Sequence, residues 1–235
     1  MKSTFLLLVS CVTAATFAAE PASYYNRVIF ADDFSGNGFK PGWGHYKSAS
    51  VVKDGVLMGI TPEKSDHSAV DSVRFAPERD LAVSVKFRFV SEKAKSFNVW
   101  FDDKDYKGSH AGHICSVSVT PTSVNIADAK TGHFRNDIYQ KRKSGAPLTE
   151  AEKTLLSAKS KRFPVKLTLR DWHSLLIQTK GDNIEVSLDG KVVGTFQSEG
   201  IGHDHKTLVS LTTNPVDVHY DDFCIRAGGA PAAKR

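Results

Sequence analysis

Cysteine, methionine and long apolar runs are all scarce in this chain. Three cysteines and two methionines among 235 residues do not support a zinc module. No stretch approaches the roughly 20 consecutive apolar residues that a membrane-spanning helix needs. Neither sign of charge dominates, because 31 basic residues against 26 acidic ones leave a formal charge of +5. Charge therefore gives no reason to expect a nucleic-acid partner. The middle of the chain has no glutamate between Glu92 and Glu150. What is present is ordinary for a chain that buries a core: 40% hydrophobic and 24% charged residues exclude wholesale disorder and a multi-span membrane protein.

The N-terminus reads as an export signal over residues 1–18. Lys2 supplies the positive charge, Phe5 to Val9 the apolar run, and Thr16-Phe17-Ala18 the small residues before a cleavage point after Ala18 or Ala19. A secreted or periplasmic protein of about 217 residues follows, a size that suits one β-rich domain. Leu8-Val9-Ser10-Cys11 offers an alternative, lipoprotein anchoring at Cys11. Cys115 and Cys224 remain in the mature chain, either joined as a disulfide in an oxidising compartment or packed separately as small apolar thiols.

Period-two alternation runs through the rest. Leu81, Val83, Val85, Phe87 and Phe89 alternate with Ala82, Ser84, Lys86, Arg88 and Val90, the pattern of a strand with one buried face. Phe97, Val99 and Phe101 do the same against Asn98, Trp100 and Asp102, as do Cys115, Val117 and Val119 against Ile114, Ser116 and Ser118. Ile184–Leu188 and Lys191–Phe196 flank Asp189-Gly190, whose tolerance of left-handed backbone predicts a two-residue hairpin turn. Further strand-like runs span Val28–Phe34, Gly55–Ile60, Trp172–Thr179, Thr207–Thr212 and Val216–Ile225. The expected architecture is all-β, two packed antiparallel sheets over residues 28–226, with a disordered tail at 227–235.

One interval interrupts the strands. Gln140 to Arg162 is basic and polar, and Thr149 with Glu152 has the spacing of a capping box, which predicts a short helix in a surface insertion between two strands. That insertion reads either as a lid or docking element, or as a solvated loop with a helical turn.

Two ordered sets of residues resemble known families. The opening Val28-Ile29-Phe30-Ala31-Asp32-Asp33-Phe34-Ser35-Gly36, with Gly42-Trp43 and Asp54-Gly55-Val56-Leu57, is similar to the start of concanavalin A-like lectin/glucanase sandwiches of the family-16 glycoside hydrolase type. Asp171-Trp172-His173-Ser174-Leu175-Leu176-Ile177, Gly181-Asp182, Val186-Ser187-Leu188-Asp189-Gly190-Lys191 and Tyr220-Asp221-Asp222-Phe223-Cys224-Ile225 resemble the second half of bacterial 3-keto-disaccharide hydrolase-like domains. The resemblance implies a jelly-roll sandwich acting on or recognising a glycan. It also implies a structural calcium ion (Ca2+) held by Asp33, the Gly55 carbonyl and Asp221, oxygen ligands that suit this cation. The bland alternative makes those aspartates turn caps.

The glutamate-rich strand motif of family-16 enzymes is absent, which puts their two-carboxylate chemistry in doubt. A retaining glycosidase needs its two carboxyls about 5 Å apart and an inverting one roughly 6.5–9.5 Å. Asp103 and Asp105 have a spacing that could serve, although their position just after a strand favours a solvated turn. Glu199 and His203 are the other acid/base candidates, carried on one loop. The pairs His110/His113 and His203/His205 have spacings compatible with a transition metal, against a reading as loop histidines. Arg88, Asn98, Trp100 and Asp102 compose a sugar platform, the indole covering a pyranose face while polar neighbours take hydroxyls. Alternatively, Trp100 packs beneath the insertion. The expected function is noncatalytic glycan recognition, with hydrolysis by loop acids or protein interaction through the basic insertion as alternatives.

Overall fold

A computed structural model describes residues 24–214 and 218–229. The export signal, Cys11 and most of the tail lie outside the described residues. The strands are β1 (Arg27–Asp32), β2 (Trp43–Tyr46), β3 (Val51–Lys53), β4 (Val56–Gly59), β5 (Ala69–Glu78), β6 (Leu81–Phe89), β7 (Phe97–Asp102), β8 (His113–Thr120) and β9 (Ser123–Asp128). Helices α1 (Asn136–Ser144) and α2 (Glu150–Ala158) follow, then β10 (Ser160–Pro164), β11 (His173–Lys180), β12 (Asn183–Leu188), β13 (Lys191–Gln197), β14 (Lys206–Thr213) and β15 (Val218–Ala227). One sheet runs β13-β12-β11-β6-β15-β4-β3, with β1 also paired to β15, and the other runs β10-β9-β8-β7-β14-β5-β2. Every pairing is antiparallel, and the fold is a jelly-roll β-sandwich.

The alternation read from the sequence selects the two inner faces. Val83, Val85, Phe87 and Phe89 from β6 and Ile177 from β11 are buried in one layer, and Phe97, Val99, Phe101, Val117 and Leu211 in the other. Asp189 and Gly190 turn the β12–β13 hairpin at φ of 50° and 75°, the left-handed pair a two-residue turn with this twist requires. The capping box of α2 is formed in both directions: Thr149 Oγ1 accepts from the Glu152 amide, and Glu152 accepts from the Thr149 amide. Cys115 and Cys224 are free thiols. Burial pushes the Cys115 thiol up to about 12.

The chain departs from the sequence reading at the insertion. Strands β9 and β10 are a hairpin whose long connection carries both helices, so the excursion begins before Gln140. Its first helix docks through the Phe134 carbonyl, which accepts from the His110 amide at 2.8 Å, and through the Gly108 carbonyl, which accepts from the Asn136 amide at 3.2 Å. Lys141 on α1 and Glu152 on α2 tie the two helices together at 2.5 Å.

Candidate functional site: a groove on the open face of the second sheet

Because side chains alternate across a strand, the register of the second sheet fixes what its outer face presents. Trp100 on β7 lies opposite Ser210 on β14 and Ser116 on β8, and Ser210 lies opposite Ser72 on β5. The next row is Asn98, Thr212, Ser118 and Asn125, with Val70 toward the β2 edge. Trp100 thus stands on a floor of short hydroxyl and amide side chains, half-buried and with room above it. The row on the other side joins Arg74, Leu208 and Asp102, with His113 opposite Asp102.

Loops raise the walls. His113 lies over the indole with ring centroids 4.5 Å apart, and Phe134 meets the indole edge-on at 5.4 Å. Tyr139 from α1 stacks on His110 at 3.8 Å with the planes 7° apart. The insertion therefore builds one wall of the groove. A short turn at His110–Gly112 carries the two histidines, and it depends on Gly112. At φ of 74°, a Cβ there would lie 2.0 Å from the Asp103 carbonyl oxygen. The groove encloses about 1160 Å³, beyond the roughly 300–1,000 Å³ of a site for one small molecule.

Two carboxylates line it, and both are committed to cations. Asp102, 2% exposed, lies 2.8 Å from His113 Nδ1 and 3.1 Å from Lys104 Nζ. Asp66 at the rim pairs with Lys47 at 2.8 Å. Burial first, and then the electrostatic influence of neighbouring His113, Lys143 and Lys104, holds the His110 imidazole below its ordinary value.

The structure sorts the residues singled out from sequence. Asn98, Trp100 and Asp102 share this groove. Arg88 does not: β6 belongs to the other sheet, where Arg88 covers the Trp172 ring at 4.8 Å and contacts His219. Residue alternation gave its facing but not its sheet. Asp103 is 1% exposed rather than solvated, and its carboxylate bonds His203 Nε2 at 2.8 Å. Tyr106 covers that imidazole at 5.1 Å, and burial lowers the His203 pKa against the pull of Asp103. Asp105 is exposed and donates its amide to Asp103 Oδ1, so these two acids form a turn and not a facing pair. Glu199 is exposed and its carboxylate is taken by an ion pair with Lys159 at 3.0 Å, while His203 bonds Asp103 instead. The loop beneath it is fixed by buried Asp128, which accepts from Ser198 Oγ at 2.5 Å and the Gly200 amide at 3.0 Å. None of Glu199, His203, Asp103 and Asp105 lines the groove.

Among the described residues no cluster of three or more His, Cys, Asp or Glu is assembled for a metal. Asp33 lies beside the last strand as the pairing of β1 with β15 requires, and its carboxylate accepts from the Ser35 amide and hydroxyl at 3.1 and 2.7 Å. Asp221 is half-buried, and its pKa is raised by burial first and then by the charges of Asp222 and Asp33, against Lys86. Gly55 occupies the tip of the β3–β4 turn on the neighbouring strand.

Phe134, Tyr139 and Arg74 are not singled out by the sequence; the His110/His113 spacing and the alternative that Trp100 packs beneath the insertion are the signals that mark that wall. No family model matches the chain, and no curated protein does either. Solved structures do match in fold. A non-specific endo-β-1,3(4)-glucanase from family GH16 is 11% identical with a TM-score of 0.60 over 90% of this chain and 94% of its own. The laminarinase from Rhodothermus marinus is 13% identical, TM-score 0.58, over 87% and 98%. The carbohydrate-binding module CBM66 from Bacillus subtilis is 11% identical, TM-score 0.54, over 79% and 96%. A sialidase is 12% identical with a TM-score of 0.60 over 85% of this chain, which spans 18% of that longer protein. The fold is that of the concanavalin-like lectin/glucanase sandwiches.

Proposed function

We propose that this protein recognises a glycan in the groove on its second sheet and does not hydrolyse it. The observation that carries this reading is Trp100, standing on a floor of Ser72, Ser116, Ser210, Thr212 and Asn98. An indole offers a flat apolar surface to the C–H face of a pyranose, and short hydroxyls and amides around it offer hydrogen bonds to ring substituents without blocking the approach. Hydrolysis by two carboxyl groups has no support in the groove, because Asp66 and Asp102 are each ion-paired. Carbohydrate-binding and glycan-cleaving neighbours share the fold, which agrees with this reading but does not by itself transfer an activity.

A second reading rests on one observation, the Asp102–His113 pair. A buried carboxylate that orients an imidazole beside Trp100 is a workable proton-transfer unit. One experiment separates the two. The purified protein is incubated with a panel of polysaccharides and 3-keto-disaccharides, retention on polymer is measured, and the soluble fraction is analysed for new sugars by mass spectrometry. Retention without product supports recognition. Time-dependent product that disappears in His113→Ala supports the second reading.

Two further proposals accompany the main one. Lys2, the Phe5–Val9 run and Thr16-Phe17-Ala18 support export, so the glycan would be met outside the cytoplasm. No helix among the described residues is long and apolar enough to cross a membrane. Asp33, Asp221 and the Gly55 carbonyl would hold Ca2+, which would join the first and last strands at the sandwich edge.

A further inference from the structure

The polar side chains of the groove are unequal in charge. Besides its imidazoles it presents Arg74, Lys104 and Lys107, against Asp66 and Asp102. Lys104 is spent on Asp102 at 3.1 Å, and Asp66 on Lys47. Two cations remain without a carboxylate partner among the described residues. Arg74 is exposed on β5 in the row that continues through Leu208 to Asp102. Lys107, exposed on the loop after β7, donates only to the Lys104 carbonyl at 3.2 Å. They come from two separate elements and enter the groove that holds Trp100. A neutral sugar chain can accept hydrogen bonds from guanidinium and ammonium groups, but it leaves their charge uncompensated. A guanidinium fork and an ammonium are the donors that carboxylate and sulfate groups select.

Resting on the glycan-recognition reading above, we propose that the ligand is an acidic glycan, a sugar chain bearing carboxylate or sulfate groups. Trp100 takes a ring face, while Arg74 and Lys107 take the anions. Strands lie about 4.8 Å apart, so Arg74, two strands from β7, reaches a substituent displaced along the ligand from the ring on Trp100.

The test is retention of the full chain by immobilised polymers at low and at high ionic strength. Polygalacturonate and alginate represent carboxylate chains, chondroitin sulfate a mixed chain and dextran sulfate a sulfated one, with laminarin and xylan as neutral chains. The variants are Arg74→Gln, Lys107→Gln and Trp100→Ala, with Lys166→Gln as an exposed lysine outside the groove, and each is checked for an unchanged melting temperature. The expected result is preference for an acidic polymer, weakened about tenfold or more by Arg74→Gln and by Trp100→Ala, lessened by salt, and unaltered by Lys166→Gln. Comparison of the uronate arms with the sulfate arms then identifies the anion. Binding of a neutral glycan through Trp100 that ignores Arg74→Gln would overturn this inference and leave glycan recognition standing. Acidic binding that ignores Trp100→Ala and falls equally in Lys166→Gln would overturn it as surface ion exchange. Retention on none of the polymers would remove both readings.

Discussion

Trp100 shows how far a single residue could be read in advance. Alternation along Asn98-Val99-Trp100-Phe101-Asp102 placed it outward, and it is outward, half-buried against His113 and Phe134. Asp103 shows the opposite case. In sequence it is one of a string of acids near a turn, and nothing local signals that His203, 100 residues away, completes its hydrogen bonding in the interior. A buried charge invites a titration test as well. Lys206 is fully buried, bonded to the carbonyls of Arg79 and His203, and burial brings its pKa down from 10.5 to about 8. Below pH 8 both folded and unfolded chains carry this proton, and the folded state bears the whole desolvation cost. Between about 8 and 10.5 the folded lysine is neutral while the unfolded one still binds a proton, so this cost disappears as pH rises. Urea unfolding of wild type and Lys206→Met at pH 7.5 and pH 10 is expected to show wild type gaining on the variant at the higher pH, on the order of 3 kcal/mol in full. A difference that stays flat with pH would contradict a charged, buried Lys206.

At the scale of elements, legibility followed how directly the chain states its own local chemistry. The β12–β13 hairpin and the capped start of α2 each depend on two adjacent or nearly adjacent residues, and both were readable. Strand β5 was not, although it is ten residues long. Its inward position Asp71 is polar, buried and satisfied by His45, Ser48 and Ser50, so the hydrophobic period that marks a strand is broken where the strand is best anchored. Helix α1 opens without a side-chain cap and buries only Ile138, leaving little to distinguish it from a basic loop. Two element-level substitutions follow. Thr149→Ala removes the reciprocal cap of α2 and is expected to cost about 1 kcal/mol in thermal or urea unfolding, with glycan binding largely retained. Gly112→Ala forces a Cβ onto the Asp103 carbonyl and must shift the turn bearing His110 and His113. It is expected to lower both melting temperature and glycan affinity, and an unchanged affinity would show that these histidines do not help form the site.

For the whole molecule, the period-two pattern gave the all-β class and the inner faces, but not the partition of strands between sheets. That partition is set by long-range pairing, and it is why Arg88 lies beneath Trp172 and not beside Trp100. It also brings β1 against β15, where a cation at Asp33 and Asp221 would join the two ends of the domain. Calcium is therefore expected to raise the melting temperature relative to excess chelator, and Asp221→Asn to abolish the response while leaving the groove intact. A melting temperature indifferent to calcium would leave Asp33 as a turn cap. The most direct measurement is calorimetric titration of an oligosaccharide, released from whichever polymer retains the protein, into wild type and Trp100→Ala. Saturable binding to wild type, about tenfold or more weaker in Trp100→Ala at an unchanged melting temperature, is the predicted result. Equal affinity in the two proteins would contradict a glycan site in this groove.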